Sequence, residues 1–60
     1  MTNLDLQRQL GRVRAKLNDL AIDLQVGLFE RKPEPEIKVI KREIDALRLI
    51  RDDLQEKLGN

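Results

Sequence analysis

The sequence predicts an all-α fold: an antiparallel two-helix hairpin, helices over about residues 3–31 and 35–58, that pairs with a second copy as a four-helix bundle. Three observations predict it. Apolar residues recur at heptad spacing in the first half of the chain. They do so again in the second half. Two prolines stand between the halves.

The first helix rests on Leu6, Leu10, Val13, Leu17, Leu20 and Leu24, which follow one another at alternating steps of 4 and 3. Such spacing keeps one apolar seam on one side of a helix. Leu10, Leu17 and Leu24 take heptad position a, and Leu6, Val13 and Leu20 take d. The next d position is Gly27. A glycine there either lets a second helix come close or marks early fraying, at about 1 kcal/mol relative to Ala. Thr2 is placed to cap the helix. Asp5 stands three residues on, where a capping box usually carries Glu or Gln.

The second helix rests on Ile37, Ile40, Ile44, Leu47, Arg51, Leu54 and Leu58, again at steps of 3 and 4. Arg51 breaks the seam at an a position. A charge there either specifies register or partner, or packs its stem and sends its head to water. Gly59 is expected to end the helix.

Pro33 and Pro35 separate the seams. Pro33 disfavours helix at Lys32 and cannot continue the first helix. Pro35 suits the first turn of the second, and Glu36 suits its positive dipole end. So short a connection makes the helices antiparallel neighbours. The rival is a single kinked helix. Charge blocks favour the hairpin. Arg8, Arg12, Arg14 and Lys16 would face Asp52, Asp53 and Glu56. Asp19 and Asp23 would face Lys41, Arg42 and Arg48, although the seam register also sets Asp23 near the like-charged Glu43, so the match holds for blocks and not for every residue, and some pairing is left to contacts between chains.

Two seams do not use all the apolar residues. Ile22, Val26 and Phe29 form a second stripe on the far side of the first helix, and Val39, Ala46, Leu49 and Ile50 widen the apolar surface of the second. A helix apolar on more than one face is normally buried on more than one face. Ile22, Val26, Phe29, Val39, Leu49 and Ile50 are therefore the expected protein interface, and Arg51 the expected register or specificity residue. A second copy is the expected occupant, a dimer first. A different protein is the alternative.

Composition limits the chemistry. Residues 1–60 make one domain at most, and so short a chain buries a small core. Cysteine and histidine are absent, Phe29 is the lone aromatic, and Thr2 carries the lone hydroxyl side chain. Disulfides are excluded, and the parts of a nucleophilic active site are missing. No enzyme activity, cofactor or metal is expected; a carboxylate-only metal site at Asp52, Asp53 and Glu56 lacks the usual histidine. Charged residues are 38% of the chain, yet the net charge is only +1, which argues for paired helix faces over a polyanion-binding domain. Arg8, Arg12 and Lys16 recur every fourth residue and form the candidate nucleic-acid ridge. No apolar run approaches the roughly 20 residues of a membrane span. Met1-Thr2-Asn3 lacks the features of a secretory signal, so no membrane and a cytoplasmic location are expected.

Two resemblances attach to the second half. Glu43, Ile44 and Asp45 resemble part of the Ser-Gln-Glu-Leu-Asp signature of the small sporulation-regulating phosphatases that act on aspartyl-phosphate response regulators. Lys41 and Arg42 stand where that family has Ser and Gln. The resemblance implies a helical hairpin with Asp45 as the acting carboxylate. Ile37 through Leu47 is similar to the basic, heptad-like second helix of the small helical-hairpin protein of the large ribosomal subunit. The residues by themselves point first to a non-enzymatic oligomerisation or adaptor protein, acting through helix–helix contacts and regulating a larger partner or assembly. Next comes a nucleic-acid-associated bundle, then a phosphatase-like modulator.

Overall fold

A computed structural model describes residues 2–59. The chain forms two α-helices, α1 (Asn3–Phe29) and α2 (Glu34–Gly59), folded back on each other. The backbone measures 43 × 14 × 14 Å, the length of one 27-residue helix and the width of two lying side by side.

Helix α1 starts at the predicted cap. The Thr2 hydroxyl oxygen accepts from the Asp5 amide at 3.2 Å, while the Asp5 carboxylate accepts from the Thr2 amide at 3.5 Å and from its hydroxyl at 3.0 Å. Asp thus closes the capping box in place of Glu.

Helix α1 ends two residues before the expected 31. Arg31 has φ 58°, in the left-handed region. The Lys32 amide donates back to the Gly27 carbonyl at 2.9 Å and the Arg31 amide to the Leu28 carbonyl at 3.2 Å. These two bonds make a Schellman cap, with an arginine where glycine is usual. The chain reverses here, ahead of Pro33. Pro33 then caps α2, its carbonyl accepting from the amides of Glu36 at 3.0 Å and Ile37 at 3.3 Å. Pro35 falls in the first turn, where a missing N–H costs nothing, and Glu34 and Glu36 sit at the positive end of the helix dipole. Helix α2 runs through Gly59, one residue past the expected end.

The core is one seam between the helices. Leu6, Leu10, Leu20, Ile37, Ile44 and Leu54 are buried. Leu6, Leu10 and Leu54 form a cluster near the chain ends, with Val13 and Leu58 packed against it. At the turn, a Cβ on Gly27 would stand 2.9 Å from Ile37 Cδ1, so the glycine admits the isoleucine. Facing seam residues carry numbers that add to 64 at both ends: Leu10 with Leu54, and Gly27 with Ile37. The register is therefore continuous along the hairpin. Gly27 marks close approach and lies inside the helix, not at a frayed end.

Candidate protein-interaction surface

The seam fixes where every other side chain goes. Positions a and d face the partner helix, so positions c and f face away from it. On α1 the outward stripe is Arg8, Arg12, Ala15, Asp19, Ile22, Val26 and Phe29. On α2 it is Pro35, Val39, Arg42, Ala46, Leu49, Asp53 and Glu56. All fourteen are exposed. Each stripe has its own heptad spacing, with apolar residues toward the turn and in the middle. Toward the chain ends it is basic on α1 and acidic on α2.

The six expected interface residues are all on the surface. Phe29 is 89% exposed and Leu49 72%, and Ile22, Val26, Val39 and Ile50 are close to half exposed. Ile22, Val26 and Phe29 share the outer edge of α1, and Val39 and Leu49 share the outer edge of α2. Ile50 sits on a flank beside the seam. The hairpin therefore splits the expected surface between two opposite edges. Leu4 at 55% and Leu28 at 56% are further exposed leucines that the sequence reading did not single out. The signal was available, since neither belongs to the a/d seam. The chain exposes 4885 Å². A compact monomer of 7.0 kDa exposes only about 4,000 Å². The excess goes with the elongated shape of two helices lying side by side.

Charges are arranged differently from expectation. Among the described residues the ion pairs are local: Glu30–Lys32 at 4.0 Å, Arg51–Asp52 at 2.9 Å and Asp53–Lys57 at 3.1 Å. None joins α1 to α2. The blocks do not meet as opposites because the seam register decides what faces what along each flank. Arg14 and Arg48, expected opposite acids, line the same groove along one flank. Arg51, Asn18 and Gln55 line it with them, over a floor that includes Leu17, Ala21 and Ile44. On the other flank the same register sets Asp23 beside Glu43, as their spacing from the seam requires.

Arg51 takes the second of the two arrangements the sequence allowed, a packed stem with its head turned outward. It is half-buried in the seam at the level of Val13, and its head turns outward to Asp52, donating from Nε at 3.1 Å and Nη2 at 2.9 Å. The candidate nucleic-acid ridge is less uniform than its spacing suggests. Arg8 and Arg12 share a shallow depression with Asp5 and Gln9, which places a carboxylate beside them, and Lys16 lies outside it. Asp45 is exposed and lines neither depression. Among the described residues no group of three or more His, Cys, Asp or Glu is placed to hold a metal ion. Nor, among them, is any helix long and apolar enough to cross a membrane. The chain matches no protein-family model, no curated protein and no solved structure.

Proposed function

We propose that this chain is a non-enzymatic oligomerisation module that acts through helix–helix contacts with further copies of itself, serving as an adaptor in a larger assembly. One observation carries the reading. Among the described residues, eight large apolar side chains stand 45–89% exposed, and the seam consumes the other large apolar ones. Monomers seldom leave so much apolar surface in water. Each such side chain gains roughly 1.5–3 kcal/mol on full burial, more than so short a seam can spare. Two copies, four helices in all, make the smallest assembly that covers part of this apolar surface.

Sedimentation equilibrium tests the reading. The expected result is a mass that rises above 7.0 kDa with concentration in the micromolar range. A well-folded species that holds the monomer mass throughout that range refutes it.

A further inference from the structure

We infer that the outer edge of α1 in one copy packs antiparallel on the outer edge of α2 in the next copy, in the same register as the seam inside the hairpin. This contact rests on the self-association proposed above and names its two surfaces. The starting point is direction. The apolar stripe of α1 faces away from α2, and that of α2 faces away from α1. A contact across one flank of the hairpin leaves both edges in water. Joining like edges, α1 to α1 and α2 to α2, covers them but matches charge with like charge or with an apolar residue. Parallel pairing sets Arg8 and Asp19, or Asp53 and Glu56, against themselves. In full overlap, antiparallel α1 pairing sets Arg12 against Val26, and antiparallel α2 pairing sets Val39 against Asp53 and Arg42 against Leu49.

Pairing α1 with α2 sets the basic end of one edge on the acidic end of the other and most apolar residues on apolar ones, leaving Ile22 opposite Arg42. When residues at one level add to 64 or 65, within one of the 64 that holds in the seam, Arg8 faces Glu56 and Arg12 faces Asp53. Ala15 then faces Leu49, Val26 faces Val39, and Phe29 faces Pro35. Asp19 lies within one turn of Arg42. Among the described residues, Arg8, Arg12, Asp19, Arg42 and Glu56 have no ion-pair partner in the single chain, and Asp53 is held only by the exposed Lys57. The basic ridge and the acidic helix end, which do not pair inside one hairpin, thereby become complementary ends of one interface. Complementary charge of this kind chooses partner and register more than it adds affinity. The contact is heterologous: each copy offers a different edge to each neighbour. It leaves one edge free at either side and continues until a ring closes or an array grows.

Edge-blocked variants test this. Val26→Asp with Phe29→Asp blocks the α1 edge, and Val39→Asp with Leu49→Asp blocks the α2 edge. Each variant alone is expected to run as a monomer. An equal mixture is expected to form a species of two copies and nothing larger, because one free edge of each kind remains. The mixture also regains helical circular dichroism if the isolated variants lose it, so a variant that unfolds alone still reports. Wild type is expected to pass beyond two copies. Arg8→Glu with Arg12→Glu is expected to weaken assembly several-fold, and adding Asp53→Lys with Glu56→Lys to the same chain to restore it. Three results overturn the inference while leaving self-association intact. They are a blocked variant that still dimerises alone, a mixture that fails to associate, and a wild type that stops at two copies. A wild type that stays monomeric removes the underlying reading itself.

Discussion

Gly27 is the tightest point of the hairpin, and a double-mutant cycle with Ile37 measures how tight. Ala is better than Gly inside a helix by about 1 kcal/mol. At Gly27, however, the new Cβ stands 2.9 Å from Ile37 Cδ1. Carbon atoms rest at about 3.5–4.0 Å. Ile37 is only 6% exposed, so its δ-methyl has little room to swing away. Overpacking a filled site costs typically 1–3 kcal/mol. Gly27→Ala is therefore expected to lie between neutral and about 2 kcal/mol destabilising. Ile37→Val removes the obstructing methyl and by itself costs about 0.5–1.5 kcal/mol. In that background the nearest remaining atoms are Lys32 Cδ at 3.6 Å and Ile40 Cδ1 at 4.0 Å, which are ordinary contacts. Gly27→Ala should then gain its full helix preference of about 1 kcal/mol. The coupling between the two changes is thus about 1–3 kcal/mol. Urea unfolding followed by circular dichroism measures it, with all four proteins at one concentration because association adds to apparent stability. Additivity within about 0.5 kcal/mol would show that the glycine is not there to admit Ile37.

Two further substitutions address the cap and the seam. Arg31 holds a left-handed conformation that costs an L-residue about 1–2 kcal/mol, and Gly gives back about 0.4–1 kcal/mol through its freer unfolded state. Arg31→Gly should stabilise by about 0.5–1 kcal/mol, seen as a Tm several degrees higher; a lowered Tm contradicts the Schellman assignment. Arg51→Leu should raise the urea midpoint by about 1–2 kcal/mol in stability, since a leucine completes the seam and the exposed pair with Asp52 is worth no more than about 1 kcal/mol. An unchanged or lower midpoint would mean that the arginine stem already packs as well as a leucine there.

The seam was fully legible in the sequence, and little else in the contacts was. Every a and d residue from Leu6 to Gly27 and from Ile37 to Leu58 is buried or half-buried. Gln55, in the arginine groove, is the one described residue off the seam that shares this. Heptad spacing reports burial directly because one face of a helix repeats every seven residues. The cap at Arg31 was hidden because arginine carries no preference for the left-handed region, so the prolines were read as the turn itself. The charge blocks misled for a different reason. Block composition says which charges share an end of the hairpin, but ion pairs need positions that flank the seam at the same level. Arg14 and Arg48 flank it together, against the block reading, whereas the like-charged neighbours Asp23 and Glu43 already followed from the seam register. The exposed stripe was visible as surplus apolar residues. Its division between two opposite edges appeared only once the seam had fixed which way each helix faces.

The two outer stripes also show why one assembly register stands apart from its neighbours. Apolar residues alone do not choose it. Sliding one edge by a heptad, about 10 Å along the axis, sets Ile22 against Leu49 and Val26 against Ala46, an equally apolar match. That register sets Asp19 against Asp53 and carries Arg8 and Arg12 past Glu56, with no acid opposite. Sliding the other way sets Arg8 on Leu49 and Asp19 on Val39, so charges lose water to apolar partners. Of these three registers, the seam's own puts both arginines on acids while Val26 meets Val39, and its one large apolar residue set against a charge is Ile22, opposite Arg42. Exposed ion pairs contribute little stability, about 0–1 kcal/mol each. Here they need only separate registers whose apolar matches are nearly equal, and a difference of about 1.4 kcal/mol is tenfold in population. The polar ends of the stripes, which look like solvated surface in the single chain, carry the information that the apolar middle lacks.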